Sequence, residues 1–407
     1  MNILYYIGNR GIDLTKKVGY YTHVCKLIES VRATGNPLHL LCIGENSLPE
    51  LGANTQIPHK YARYFVHRVL PFTGLINSSR LQKIALQLHK NEKFDIIHER
   101  FGLYSYGGYR SARKMNVPLL FEVNGPVIEE KQNHTDPLEG LELLSAKISR
   151  KTALKHGDGF VAISNIMKEI MVDEWGLPSE KIYVMPNCAD HKVFAREGLK
   201  EEGLSLRKNL GYNDDEFVIC FVGSFFPWYG LEVFFEAFGK AYKERKNLRL
   251  LMVGEGRIEN DLKQMAKDSG FFEAIKWVGR VPHDDVPIYL NSADAAIAPF
   301  RRLPTKFFSS AIKIFEYMMS GSAILAPKLG QIAEVLEEGF SGIFFEPGNV
   351  ESVKVGILKI SESKEKCRMM GKNAQKEALS KFTWEKYGQQ LVEIYGKMID
   401  EFKAKNS

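Results

Sequence analysis

Short apolar runs alternate with longer amphipathic segments along most of the chain, the pattern of parallel strands covered by helices on both faces. In the first half, runs at 2–7, 38–43, 64–70, 94–98, 117–123, 159–163 and 181–185 predict strands, and helical periodicity at 20–33, 78–90 and 138–156 predicts helices between them. Residues 187–215 interrupt the pattern with Gly198, Gly203, Gly211 and many charges, and predict a connector. The alternation then resumes with strands near Phe217, Leu248, Ile275, Ala293, Ala323 and Gly342. Their spacing of about 20 to 30 residues is one strand-helix-strand step. The expected architecture is α/β: two Rossmann-like doubly wound domains facing a central cleft. Ligands of such sheets bind beyond the carboxyl ends of the strands, so the loops there are the places to look for chemistry.

Composition narrows the class of protein. With 407 residues, 44% hydrophobic and 26% charged, the chain has the balance of a globular protein large enough for two cores. No apolar run approaches the roughly 18 residues that span a bilayer, and residues 1–8 read as a strand with no basic stretch before it. The five cysteines are far apart and include no CxxC pair, which argues against a disulfide framework or a zinc site and favours a reducing, cytoplasmic setting. The net charge of +6 is dilute, and no basic stripe interleaved with aromatics suggests nucleic acid. Basic residues do cluster at Arg110, Arg113 and Lys114 and at Arg150, Lys151 and Lys155. Two readings fit them: a solvated helix face, or a surface of the first domain facing anionic membrane lipid or substrate.

The most informative segment runs from Phe307 to Gly321. Ser309 or Ser310 can cap a helix there, Gly321 can end it, and Ile312, Phe315 and Met319 form an apolar stripe. Lys313 then falls in the first turn, where the helix dipole disfavours a cation by a few tenths of a kcal/mol. A phosphate at the helix N-terminus would reverse that preference, with Lys313 adding a charge-assisted contact. Glu316, three residues on, would face the same ligand and accept hydrogen bonds from sugar hydroxyls. The alternative is a surface Lys–Glu ion pair worth under about 1 kcal/mol. Gly223-Ser224-Phe-Phe-Pro-Trp-Tyr-Gly230 and Gly254-Glu-Gly256-Arg257 follow predicted strands, and their glycines allow close approach of backbone to a ligand. Neither has the spacing of a dinucleotide fingerprint. Asp214-Asp215 and Asp284-Asp285 are expected to cap helices rather than to hold a metal.

Taken together, these stretches resemble the GT-B retaining glycosyltransferases of family 4 (glycosyltransferase group 1). The Gly223–Gly230 segment is similar to the GSFxxWxG loop of one subset, and Lys313-Ile-Phe-Glu-Tyr317 to its KxxEYM helix. Ala162 to Phe194 resembles the passage between domains, Gly330-Gln-Ile-Ala-Glu-Val335 a donor-side segment, and Lys381-Phe-Thr-Trp-Glu385 the last motif before a terminal helix crosses back. Gly19-Tyr-Tyr-Thr-His-Val24 resembles the helix start near the donor phosphates, and Glu122-Val-Asn-Gly-Pro126 an acceptor-side motif. The resemblance implies an acceptor domain at 1–190, a donor domain at 191–385 and a returning helix at 386–407. It implies Lys313, Glu316 and Arg100 as catalytic, and Gly19, Gly223, Ser224, Gly254, Gly256, Arg257, Val281 and Glu334 as further donor contacts. His98, Glu122 and Asn124 would meet the acceptor.

Several positions depart from the family pattern. Phe308 stands in place of the first Glu of the usual pair, Ser224 and Tyr229 replace an Arg and a Lys that hold the diphosphate, and Arg100 replaces a His. The implied reaction is transfer of a sugar from a nucleoside diphosphate to a hydroxyl acceptor with retention, without a cofactor, a metal or a protein nucleophile. Fixed cations would stabilise the leaving group. The alternatives are a non-catalytic partner subunit of the same fold and a nucleotide-sugar epimerase. Peripheral association with anionic membrane through the first domain is a further expectation.

Overall fold

The computed structural model describes residues 1–8, 14, 19–43, 56–57, 73–132, 137–302 and 306–406. The strand expected at 64–70 lies outside them. The chain forms two compact units, Met1–Pro186 with Trp384–Ser407, and Asn187–Thr383.

Unit 1 runs β1 (Ile3–Ile7), α1 (Gly19–Ala33), β2 (Leu38–Ile43), β3 (Gln56–Ile57), α2 (Thr73–Glu92), β4 (Ile96–Arg100), α3 (Tyr106–Met115), β5 (Leu119–Val123), α4 (Val127–Gln132), α5 (Gly140–Lys155), β6 (Gly159–Ala162), α6 (Asn165–Asp173) and β7 (Ile182–Val184). Its seven strands are parallel in the order β3-β2-β1-β4-β5-β6-β7. β1, β4, β5 and β6 are buried along their whole length, which is why β1 and β6 read as apolar runs rather than alternating ones, while β4 and β5 carry buried polar residues at their carboxyl ends. The order reverses direction between β1 and β4, and such a switch point opens a crevice at the carboxyl ends.

Unit 2 contains α7 (His191–Phe194), α8 (Leu199–Asn209), β8 (Phe217–Val222), α9 (Leu231–Glu244), β9 (Leu248–Val253), α10 (Glu259–Asp268), β10 (Ile275–Gly279), α11 (Val286–Asn291), β11 (Ala295–Ile297), α12 (Ile312–Met319), β12 (Ala323–Pro327), α13 (Ile332–Val335), β13 (Gly342–Phe345), α14 (Val350–Ile360) and α15 (Lys364–Lys381). Its six parallel strands run β10-β9-β8-β11-β12-β13, with the switch point between β8 and β11. Two apolar cores, one on each face of the sheet, hold the layers together; one centres on Phe234, Phe235 and Phe238 of α9, the other on Ile314, Phe315 and Met318 of α12. The last helix, α16 (Trp384–Asn406), belongs to unit 1, where Gly388 lies against the backbone of Ser30 on α1.

Two local expectations fail. The stretch 187–215 is no open connector: α7 and α8 occupy much of it and pack inside unit 2, with Arg207 buried against the carbonyls of Ser292 and Glu216. Gly203 misled the reading, because it is a contact glycine rather than a breaker. A Cβ there would lie 2.5 Å from the carbonyl carbon of Asn291 on α11. Neither aspartate pair caps a helix through its side chain; Asp285 sits at the cap position of α11 without a capping bond, and Asp214 serves through its carbonyl, which accepts from Lys364.

Candidate functional site

In unit 2 the chemistry gathers at the switch point. α12 begins one residue later than a serine cap would require: Ala311 is its cap residue and makes no side-chain bond. Ser310 instead accepts a hydrogen bond from the backbone N–H of Asn187, and its carbonyl accepts from the Asn187 amide. Five residues of α12 are buried, and Gly321 follows it in the left-handed region at φ 71°. Lys313 therefore sits in the first turn of an uncapped helix.

Its ammonium lies 3.9 Å from the ring centre of Tyr229, 4.4 Å from Phe221 and 5.6 Å from Phe300. Nζ is buried and has no hydrogen-bond partner. Cation–π attraction offsets part of the loss of water, yet burial still pulls the Lys313 pKa down to about 7, with Glu316 opposing the shift. The ion-pair alternative is not what forms. Glu316 turns to His283, whose Nε2 lies 2.7 Å from Oε1 and whose pKa is raised by that hydrogen bond. His283 is also held edge-on by Phe194.

The glycine loops come together beside this lysine. Gly223 has φ 139°, and a Cβ there would stand 2.8 Å from Lys313 Nζ, so only glycine leaves the ammonium its place. Gly254 has φ 132°, and its Cβ would meet the Gly223 carbonyl at 2.0 Å. A Cβ on Gly256 would strike the backbone of Phe225 at 2.4 Å. The two later glycines thus let one loop pack on another, and it is Gly223 that faces the lysine. Ser224, Arg257 and Glu334 are exposed, and Val281 is half-buried just after β10.

In unit 1 the expected residues form one buried network at the carboxyl ends of β4 and β5. Glu122 is fully buried. Its Oε1 accepts from Arg100 at 2.8 Å and from Asn124 at 2.5 Å, with His23 Nε2 2.9 Å away. Its Oε2 accepts from the Tyr5 hydroxyl at 2.7 Å and lies 3.6 Å from His98 Nε2. Burial would raise the Glu122 pKa, but Arg100 and then His23 outweigh it and hold the carboxyl well below its usual range. Burial pushes His98 down to about 4, so the ring is neutral, and its Nδ1 meets the Tyr395 hydroxyl of α16 at 2.7 Å. His98 and Glu122 have no exposed surface; Arg100 retains 8%, and Asn124 is half-buried. Direct contact with a ligand is open to Arg100 and Asn124, while Glu122 holds both in place and His98 packs behind Glu122. Gly19 opens α1, which carries His23 into the cluster.

The sequence resembles two families in succession: Glycosyltransferase Family 4 over residues 19–193 and Glycosyl transferases group 1 over residues 204–377. The chain belongs to the group 1 glycosyltransferases. It is 21% identical over 381 residues to the uncharacterized glycosyltransferase MJ1607 of Methanocaldococcus jannaschii, covering 93% of this chain and 94% of that one. It is 24% identical over 348 residues to the UDP-Gal:alpha-D-GlcNAc-diphosphoundecaprenol alpha-1,3-galactosyltransferase of Escherichia coli, with 83% and 84% covered. Among solved structures, Anabaena HepE in complex with UDP superimposes with a TM-score of 0.75 at 17% identity, over 98% of this chain and all of that one. The sucrose-phosphate synthase of Thermosynechococcus elongatus gives 0.74 at 17% identity over the same shares. These similarities establish the two-domain α/β GT-B fold.

Three partners in this glycosyltransferase escaped the sequence reading: His283, Tyr5 and Tyr395. Only Tyr5 left a local signal, as one of two hydroxyl-bearing residues, with Tyr6, in an otherwise apolar strand. Among the described residues, no group of three or more His, Cys, Asp or Glu is placed to hold a metal ion, and no helix is long and apolar enough to cross a membrane.

Proposed function

We propose that this glycosyltransferase moves a sugar from a uridine diphosphate sugar to a hydroxyl acceptor with retention at the anomeric carbon and without a metal. The observation that carries the reading is the Lys313 ammonium, buried, without an acceptor, in the first turn of an uncapped helix beside Gly223. A buried donor left unbonded costs about 1–3 kcal/mol, more when charged, and a diphosphate accepting from it and from the helix N–H groups removes that cost. The choice of uridine rests on likeness: the Escherichia coli relative is named for UDP-galactose, and HepE was solved with UDP and with UDP-glucose.

In this mechanism the bond between the anomeric carbon and the diphosphate oxygen breaks while the acceptor oxygen bonds to the same face of that carbon. The acceptor's proton passes to the departing phosphate oxygen. Lys313 and the α12 N-terminus stabilise the charge that develops there. Glu316 with His283 binds donor hydroxyls, and Arg100 with Asn124 orients the acceptor. Unit 1 also carries a face suited to anionic membrane: Leu141, Leu144 and Ile148 of α5 are 71%, 54% and 52% exposed, with Lys147, Lys151 and Lys155 on the same helix.

Thermal-shift titration against UDP, GDP, ADP and dTDP tests the donor. UDP at 100 times its dissociation constant should add about 2.7 kcal/mol. No response to any nucleotide would favour a non-catalytic partner subunit. Conversion of the nucleotide sugar without acceptor would favour an epimerase. Product analysis by NMR reads retention, and an unchanged rate in chelator reads metal independence.

A further inference from the structure

Unit 2 holds a cavity of about 700 Å³ at the end of the sheet opposite Lys313. It lies where the chain enters β11 and β12, between Asn291–Asp294 and Ser320–Ser322, and is walled by the start of α8 and one side of α15. The volume falls within the range of small-molecule sites. We propose that it binds a phosphorylated hexose, as a site separate from that of the donor and acceptor.

Four observations converge. The first turn of α8 lines the cavity: Gly198 is its cap residue and makes no side-chain bond, and Leu199, Lys200 and Glu201 follow with their N–H groups at the end of an eleven-residue helix. The free N–H groups of such an end attract a phosphate, against the opposing charge of Glu201 in the same turn, while Glu202 is paired with Arg196. The hydroxyl of Ser320, in the opposite wall, is unpartnered although the residue is only 6% exposed. A buried hydroxyl left in that state calls for a ligand or a water.

The third observation is charge. Six basic residues line the cavity against three acidic ones, and four of the six, Arg196, Arg207, Lys364 and Arg368, are paired with carboxylates, so the cations left over, Lys200 and Lys372, balance Glu201 and Asp214. Asp294 is already held by Arg207 at 3.1 Å and approached by Lys364 at 3.6 Å, and Arg196 is committed to Glu202. Lys200 and Lys372 are exposed and available to an anion. The fourth is the acceptors. The side-chain amides of Asn291 and Gln375 donate to the carbonyls of Pro287 and Met319, which leaves their oxygens, with Ser320, to receive sugar hydroxyls. A phosphate alone would fill a small part of 700 Å³; a hexose attached to it reaches the second wall.

The test is calorimetric titration of the full chain with glucose 6-phosphate, mannose 6-phosphate, fructose 6-phosphate and glucose 1-phosphate, beside inorganic phosphate and free glucose. At least one hexose phosphate should bind saturably, and at least tenfold more tightly than phosphate or glucose. The double variant Lys200→Glu with Lys372→Glu should weaken it at least tenfold, whereas Lys313→Ala should leave it within twofold. Ser320→Ala should weaken it severalfold with no loss of thermal stability, since it removes a hydroxyl that has no partner. Binding abolished by Lys313→Ala and untouched by the lysine pair would place the ligand at the donor site and overturn the proposal. So would binding no tighter than that of phosphate, or no binding by any of the four sugars.

Discussion

The two units meet the problem of buried charge in opposite ways. In unit 1, Glu122 is surrounded by Arg100, Asn124, His23 and Tyr5, and its charge is neutralised within the fold. In unit 2, the Lys313 ammonium has rings around it and no acceptor. The first arrangement is complete, and it fixes the direction of Arg100 and Asn124. The second has no acceptor within the fold. Under the proposed function the contrast separates a cluster that positions from a group that binds, although both are polar, buried and at the carboxyl ends of parallel strands.

That contrast can be broken most forcefully at Glu122. Glu122→Ala strands a buried guanidinium and should cost unit 1 about 3–5 kcal/mol, read by denaturant unfolding. Glu122→Gln, which keeps the shape and one acceptor, should cost less and permit a transfer assay. A Glu122→Ala protein as stable as the parent would show that the network is not what holds this region.

Lys313→Ala should behave in the reverse sense. Stability should hold or rise, because an unpaired buried ammonium is removed, while UDP affinity falls by about 2 kcal/mol, roughly thirtyfold, as expected for a charge-assisted bond. Calorimetry beside thermal unfolding reads both. Equal UDP affinity in parent and variant would remove Lys313 from the site.

The pH dependence sharpens the difference. The folded pKa of Lys313, about 7, lies below its unfolded value of 10.5. The unfolded chain therefore binds more protons between those values, and stability should fall as pH is lowered from 10.5 to 7, by at most about 1.4 kcal/mol per pH unit. Lys313→Met should abolish that slope. Unit 1 has the opposite case in Glu99, buried without a hydrogen-bond partner on the other face of β4 and pushed by burial from 4.5 to about 8. The folded state holds its proton longer, so this contribution is present below pH 4.5 and is lost as pH rises to 8. Glu99→Gln should remove it. Two slopes of one sign in the urea-derived stability of the parent would contradict this assignment.

The smallest effect concerns Glu316. Glu316→Gln removes the negative partner of His283, and the imidazole pKa should return toward 6.5, as followed by NMR titration. UDP affinity should fall by under about 1 kcal/mol, since a half-exposed pair is screened by water. A glycosyl adduct trapped on Glu316 in the parent would give this residue a covalent role instead.

Much of the frame was legible because it rests on local pattern. β8, β9 and β12 read as apolar runs since both faces of the sheet are covered, and α12 could be placed from its stripe and from Gly321. The exceptions were local too. Gly198, Gly203 and Gly211 gave 187–215 the look of a connector, although Gly203 is there because α11 comes close. Ser310 looked like a cap and is engaged by Asn187, 123 residues earlier.

The sequence alone thus determined the alternation of strands and helices in most of the chain, the two-unit α/β plan, and the presence of a lysine and a glutamate one turn apart at the start of α12. It could do so because periodicity and turn chemistry act over a few residues. The tertiary structure decided what those side chains are. Lys313 is a buried cation because Phe221, Tyr229 and Phe300 converge on it from two separate loops and a strand. Glu316 answers to His283 rather than to the lysine one turn away. His98 is a neutral ring bonded to Tyr395, 297 residues distant. Loss of water and choice of hydrogen-bond partner depend on everything packed around a group, and that neighbourhood exists only once the chain has folded.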